Sequence, residues 1–394
     1  MIFNTTSLII CGILLLLAII ASFVNPLFRK IILSEEADLS STEDADNSSA
    51  NDAYGQQMPS VSIVITAHDN AAELRRNLPL VLAQQYPGNF QVIVVAEKGD
   101  SETENVLKLL SADKHLYYTL IPELSRYMSR KKLSITIGVK AAKSEWIMLV
   151  EPSCRPESEH WLANMARNCN KDKDLVIGYS RYDDDAKMYQ RFERMLIQCY
   201  SLREAQQSMA YRHYGSNLMI RKSLFMKQEG FRSSLNLVRG EYDFLVNDFA
   251  TADNTATETS HLAHVVEDAP THKAWLYHHM YYLESRKILK RGIKHRLVFN
   301  IDQIMLHTTV IADIAAIAAS VVLQQWIITA VAAVSLIITT SLCSLWLSKR
   351  SKELGENIPT LLALPLQLSV VWHNMKHAIN HKFADKLDFT THKL

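Results

Sequence analysis

The 394-residue chain has almost no net charge, with 42 lysines and arginines against 41 aspartates and glutamates. A general electrostatic attraction to nucleic acid therefore has no support, and no nucleic acid is expected as a partner. Cysteine is scarce: there are five, and no two form a Cys-x-x-Cys pair. That usage points to a reducing compartment and excludes a structural zinc site built on such pairs. No Gly-x-Gly-x-x-Gly follows the first β-rich run, which disfavours the dinucleotide-binding form of an α/β fold. Charge is also missing from Met1 to Phe28, and Arg29 and Lys30 come only after the apolar run. A signal peptide would carry its positive charge before that run, so the segment reads as a retained anchor.

Long apolar segments are what the sequence does contain. "SLIICGILLLLAIIASFV" (Ser7 to Val24) is long enough to cross a hydrocarbon core of about 30 Å as a helix. The bases that follow it place the N-terminus outside and the rest of the chain in the cytoplasm. Near the other end, Ile314 to Leu347 is uncharged for 34 residues, too long for one span. Gln324-Gln325-Trp326 divides it into a helical hairpin with an interfacial aromatic at the turn. Lys287, Lys290, Arg291, Lys294 and Arg296 precede the hairpin, and Lys349, Arg350 and Lys352 follow it, so both ends are expected in the cytoplasm. Asp313 falls inside the first arm, either near the interface or facing a protein partner. Ile358 to Phe383 is apolar for only about 15 residues and carries Pro359 and Pro365, which suits an interfacial or re-entrant helix. Its His373, His377 and His381 share one helical face without an accompanying acid, so they read as a polar face and not as metal ligands.

Between these segments the texture changes twice. Residues 31–58 include "SEEADLSSTEDADNSSANDAYGQQ", with seven acids and no base after Lys30, a flexible acidic tether. Asn47-Ser48-Ser49 matches a glycosylation sequon, by chance if this side is cytoplasmic. From Pro59, β-rich runs alternate with helical ones: Val61 to Ala67, Phe90 to Glu97, "LYYTLI" and Glu145 to Glu151, separated by "NAAELRRNLPLVLAQ", "SETENVLKLL" and "SRKKLSITIGVKAAK". Such alternation predicts a parallel sheet with right-handed crossovers, with ligands bound beyond the carboxyl ends of the strands. Ala67-His68-Asp69, Glu97 and Glu151 stand at those ends. The expected divisions are an anchor at 1–30, the tether at 31–58, an α/β domain at 59–295, the hairpin at 296–348, and an interfacial helix with a basic tail at 349–394.

"PSVSIVITAHDNAAELRRNLPLVLAQQYPGNFQVIVVAE", "SRKKLSITIGVKAAKSEWIMLVEPSCRP", "YGSNLMIRKSLFMKQEGF" and "RGEYDFLVND" resemble, in that order, the successive blocks of the family 2 glycosyltransferases. The likeness covers roughly residues 59–250. It implies the GT-A nucleotide-diphospho-sugar transferase fold, a Rossmann-like mixed sheet, here with N-terminal and C-terminal transmembrane helices. It also implies inverting transfer of a hexose from a nucleotide-diphosphate sugar to a lipid-linked or glycan acceptor, in cell-surface polysaccharide synthesis. With the anchor, this makes an integral membrane protein of the bacterial inner-membrane type, its catalytic domain cytoplasmic.

The resemblance assigns roles to single residues. Glu97 matches the acid that contacts the nucleoside, and Ala67 the position whose backbone lies against it. Glu151-Pro152-Ser153 stands where the family has Asp-x-Asp, so Glu151 and Ser153 are the expected ligands of a divalent cation, Mg²⁺ or Mn²⁺, and contacts of the nucleotide sugar. Ser153 supplies no negative charge, which weakens that site. Lys132 is expected to contact the nucleotide sugar, and Lys131, Lys140 or Arg155 could also neutralise the diphosphate if the metal is lost. In "GEYDF" the family's base position falls on Tyr242, leaving Asp243 and Glu241 as candidates for the general base. His278 and Met280 stand near where relatives carry Gln and Arg, and His264, His272 and His279 accompany them. The acidic run Asp183 to Asp185 reads as a loop. "YGSNLMIRKSLFMKQEGF" reads as a turn at Gly215 to Asn217 followed by an amphipathic helix, flooring the acceptor side. These departures leave an alternative, a catalytically silent relative that binds nucleotide sugar or scaffolds other transferases. A transporter or channel is disfavoured because too few spans are visible.

Overall fold

The computed structural model describes residues 5–35, 58–122, 128–290 and 292–390. They form two compact units, one within Met1–Ile31 and Arg291–Ala378, the other within Ile32–Lys290 and Ile379–Leu394. Most of the expected tether, residues 36–57 with the Asn47 sequon, lies outside the described residues.

The chain enters the first unit with α1 (Thr5–Val24) and then builds the second. There, β1 (Val61–Ala67), α2 (Ala71–Leu82), β2 (Phe90–Glu97), α3 (Ser101–Leu110), β3 (Leu116–Ile121), α4 (Arg130–Ala141) and β4 (Trp146–Val150) follow one another. β1 runs parallel to β2 and β4, and β2 runs parallel to β3, with Ala67 opposite Ala96 and Ile65 opposite Val150. β1, β2 and β4 read as continuous apolar runs because both faces are covered, while β3 is the partly exposed edge strand. Leu74, Leu78 and Val81 of α2 and Val106 and Leu107 of α3 share one core with Val61, Ile63, Ile65, Val92 and Val94. Helix α4 packs on β1 and β2 so closely that a Cβ at Gly138 would lie 2.4 Å from Val64, a contact that only glycine permits.

Next come β5 (Cys154–Pro156), α5 (Trp161–Ala166), β6 (Leu175–Gly178), β7 (Ser180–Tyr182), α6 (Met188–Gln207), β8 (Leu218–Arg221), α7 (Lys222–Lys227), α8 (Glu241–Phe249), β9 (Thr255–Glu258), β10 (Val265–Glu267) and α9 (His272–Ser285). The main sheet has the order β3-β2-β1-β4-β8-β6-β9, with β8 antiparallel to both neighbours, and β5-β10-β7 form a small second sheet. Residues 174–180, "DLVIGYS", are broken at Tyr179 between β6 and β7, which join different sheets, and one local expectation is corrected. Leu218–Arg221, expected in a helix, is an interior strand, and the helix begins only at Lys222. Asn217, immediately before β8, takes a positive φ of 76°. Its amide donates to the carbonyls of Tyr179 and Ala263 at 2.8 and 2.9 Å and accepts from the Trp161 indole at 2.9 Å.

The first unit contains α1, α10 (Ile293–Val322) and α11 (Trp326–Glu353), which pack on one another; α12 (Ala363–Phe383) follows in the chain. Among the described residues, three helical segments are long and apolar enough to cross a membrane: Thr5–Val24, Asn300–Val322 and Trp326–Glu353. The hairpin turns at Gln324, which takes a positive φ of 52°. Asp313 is fully buried and accepts from Ser335 Oγ of α11 at 2.9 Å, so it faces a neighbouring helix.

Candidate active site

The carboxyl ends of β2, β1 and β4 make one edge of the sheet, and Glu97, Ala67 and Glu151 emerge along it. The first turn of α4 reaches this edge with three consecutive bases, Arg130, Lys131 and Lys132. Bases are disfavoured at a helix N-terminus, whose dipole already carries positive charge. Each of the three has a separate partner. Arg130 Nη1 donates to both oxygens of Glu97 at 2.8 and 2.9 Å, and the His68 ring meets the same carboxylate. Lys131 Nζ lies 2.6 Å from Glu151 Oε1. Lys132 is wholly buried, and its Nζ donates to the carbonyls of Ser234 and, at 2.8 Å, Leu237. Burial pulls its ammonium down to about 8. The Lys132 ammonium, expected at the sugar nucleotide, is held instead by the Ser234–Leu237 loop, whereas Lys131 lines a cavity.

A cavity of about 290 Å³ opens beside Lys131 and is lined by Glu151, Ser153, Glu241, Tyr242 and Asp243. Three expected acids, Glu151, Glu241 and Asp243, and the Ser153 hydroxyl are therefore brought together, whereas Ala67 and Glu97 lie along the strand edge and do not line this cavity. Gly240 makes the convergence feasible: its φ is 97°, and a Cβ there would stand 2.7 Å from Ser285 Oγ. Burial raises the Glu151 carboxyl, but Lys131, the Tyr242 hydroxyl donating at 2.7 Å, and Arg239 together hold it below its ordinary value. Asp243 goes the other way. Burial lifts its carboxyl, and Arg212, donating from Nε at 2.9 Å, opposes this only in part. Glu241 is buried, and its Oε1 has no hydrogen-bond partner among the described residues.

The far wall is cationic and aromatic. Arg194 lies between the Tyr182 and Tyr214 rings, 4.8 and 4.3 Å from their centroids, and pairs with Glu267 at 2.9 Å. Arg212 stacks 3.7 Å over Tyr282. His213 donates from Nε2 to the Ser216 carbonyl at 2.8 Å. Burial, and then Arg194 and Arg212, depress this imidazole to about 4, so at neutral pH its buried Nδ1 is a bare acceptor. His278 also lines the cavity and is driven well below its ordinary value by burial.

Other weighed residues lie elsewhere. Lys140 is exposed near the opposite end of α4, and Arg155 pairs with Asp183 and Asp268 outside the cavity. Asp184 pairs with Arg191 at 2.6 Å, so the acidic run serves ion pairs. His264 is packed on Tyr179, His272 stacks on Trp275, and His279 meets Glu193 at 3.0 Å. Arg194, Arg212, His213 and Glu267 were not singled out by the sequence. Helix α6 carries charged residues on every face, and no periodicity marks Arg194 as buried.

The donor set fits a divalent cation poorly. Hard cations take several oxygen ligands, usually with more than one carboxylate. Here Glu151 is the one acid of the pair, its Oε1 already carries an ammonium and a phenol, and Ser153 is neutral.

Residues 62–229 match the model of Glycosyl transferase family 2. No curated protein sequence matches the chain. The mannosyltransferase PcManGT from Pyrobaculum calidifontis, solved with GDP-Man and Mn²⁺, is similar at 13% identity and a TM-score of 0.55, over 94% of this chain and 99% of that one. S. aureus TarS 1-349 in complex with UDP-GlcNAc aligns at 9% identity and a TM-score of 0.43, over 82% of this chain and 90% of that one. The α/β unit has the GT-A glycosyltransferase fold.

Proposed function

We propose that this family 2 glycosyltransferase, matched over residues 62–229, transfers a hexose from a nucleotide-diphosphate sugar to a lipid-linked or glycan acceptor at the membrane, with inversion, in cell-surface polysaccharide synthesis. One observation carries the reading: the strand-end acids Glu97 and Glu151 are each held by a base of α4, and Glu151 lines a cavity that also receives Glu241 and Asp243. The nucleoside lies along Ala67 and Glu97, and the diphosphate lies towards Glu151 and Ser153. The acceptor oxygen attacks the anomeric carbon from the face opposite the phosphate. The bond from that carbon to the β-phosphate oxygen breaks, and the nucleoside diphosphate leaves with the electron pair. The hydroxyl proton passes to a carboxylate, Asp243 or Glu241. A raised Asp243 suits a base better than an ordinary surface acid does.

In this reading α1 and the α10–α11 hairpin anchor the protein in a membrane of the bacterial inner-membrane type, with residues 59–295 as the cytoplasmic catalytic domain and 349–394 as an interfacial tail. The length and apolarity of the three helical segments support it. The test is a panel of nucleotide sugars and lipid acceptors presented to membranes containing the chain. Transfer or donor hydrolysis is expected for at least one donor, with loss on Glu151→Ala and on Asp243→Ala. Tyr242 at the family's base position favours a second reading, a silent relative, and nucleotide binding without turnover in every lane would establish it.

A further inference from the structure

We infer that the Lys131 ammonium takes the place of the divalent cation, so that the donor diphosphate is neutralised by a charge built into the chain and transfer proceeds without metal. This rests on the glycosyltransferase reading above. Lys131 Nζ sits on the carboxylate oxygen that a cation would need, 2.6 Å from Glu151 Oε1, and Tyr242 donates to that same oxygen at 2.7 Å. A cation placed there would face an ammonium at contact distance, which repels it; of the other carboxylates lining the cavity, Asp243 is engaged by Arg212 and Glu267 by Arg194, which leaves Glu241. The ammonium meanwhile has three donors, and Glu151 uses one. The remaining two are available to phosphate oxygens in the cavity that Lys131 lines.

Two further features act in the same direction. Lys131 belongs to the first turn of a 12-residue helix, so the helix dipole adds positive potential where the diphosphate lies. Arg239, on the facing loop, lines the same cavity and acts electrostatically on Glu151, giving a second cation there. As the glycosyl–phosphate bond breaks, negative charge grows on the β-phosphate oxygen. Lys131 and Arg239 stabilise it electrostatically, and neither surrenders a proton.

The experiment uses the full chain, wild type, Lys131→Met and Lys131→Arg, each checked for an unchanged melting temperature. Donor turnover and the binding of UDP and GDP are measured in excess EDTA and in Mn²⁺. For the wild type both quantities should agree within about two-fold between the two conditions. Lys131→Met should lower turnover by about 100-fold and weaken nucleotide binding about ten-fold, with no rescue by Mn²⁺, while Lys131→Arg retains part of both. Wild-type turnover that disappears in EDTA and returns with Mn²⁺ overturns the inference and leaves the glycosyltransferase reading standing. Lys131→Met that matches wild type in EDTA also overturns it. Absence of nucleotide binding and turnover in every lane overturns both.

Discussion

Arg212 donates from Nε to Asp243 Oδ1 at 2.9 Å while its guanidinium lies 3.7 Å over the Tyr282 ring. The aromatic face and the carboxylate fix the arginine together, and the arginine fixes the carboxylate in turn. If Asp243 accepts the acceptor proton, Asp243→Asn should lower transfer by about 100-fold or more while leaving nucleotide binding intact. Its raised carboxyl sets the pH dependence: activity should fall as pH drops through a value above the ordinary carboxylate range, and the acidic limb should vanish in the variant. Rate profiles of both proteins between pH 4 and 8 check this. A limb that survives in Asp243→Asn transfers the role to Glu241.

Glu151→Gln preserves shape but removes the charge that holds Lys131 and accepts from Tyr242. Turnover should drop about 100-fold. Donor-saturation kinetics separate this from a binding defect, because a purely structural role would lower stability without a selective fall in kcat.

His213 predicts a stability effect. Its folded value is about 4 against an ordinary 6.5, so between these two the unfolded chain binds more protons than the native one. Stability contributed by the neutral imidazole is present above about 6.5 and lost as pH falls towards 4, on the order of 3 kcal/mol in all. In Gln-substituted protein, His213→Gln, melting temperature should depend less on pH across that window than in wild type. Equal slopes would refute the assignment.

Removal of residues after Asp385 is expected to impair transfer more than nucleotide binding. Phe389 is buried, its carbonyl accepts from Val238 N at 3.1 Å, and Leu237 bridges Thr390. Leu237 is also the carbonyl that holds Lys132, and Arg239 and Gly240 follow it into the cavity wall. Truncation should therefore lower the melting temperature and kcat while UDP or GDP affinity stays within about three-fold. An unchanged kcat would separate the tail from the loop.

Strands β1, β2 and β3 were legible to the residue: β1 and β2 as buried apolar runs bounded by polar turns, and the half-exposed edge strand β3 by its aromatic and β-branched residues. Glu97, Glu151, Ser153, Glu241 and Asp243 were legible as residues at or next to the ends of elements, and all but Glu97 line the same cavity. The interior strand Leu218–Arg221 was not, since four residues with two apolar neighbours suit strand or helix equally and only pairing with β4 and β6 decides. Lys131 and Lys132 illustrate the same limit in the site. Neighbouring identical side chains on one turn point about 100° apart, and which of them faces the cavity depends on the loop at Ser234–Leu237, a hundred residues away in sequence.

The first turn of α4 joins three parts of the protein through adjacent side chains: Arg130 to the acid of β2, Lys131 to the acid of β4, and Lys132 to the loop before α8. Such a turn cannot rotate or fray for one of these ends alone. Displacing the acid of β2, the acid of β4 or the loop before α8 thus becomes one mechanical event, and a shift imposed at any one of them is resisted by the other two.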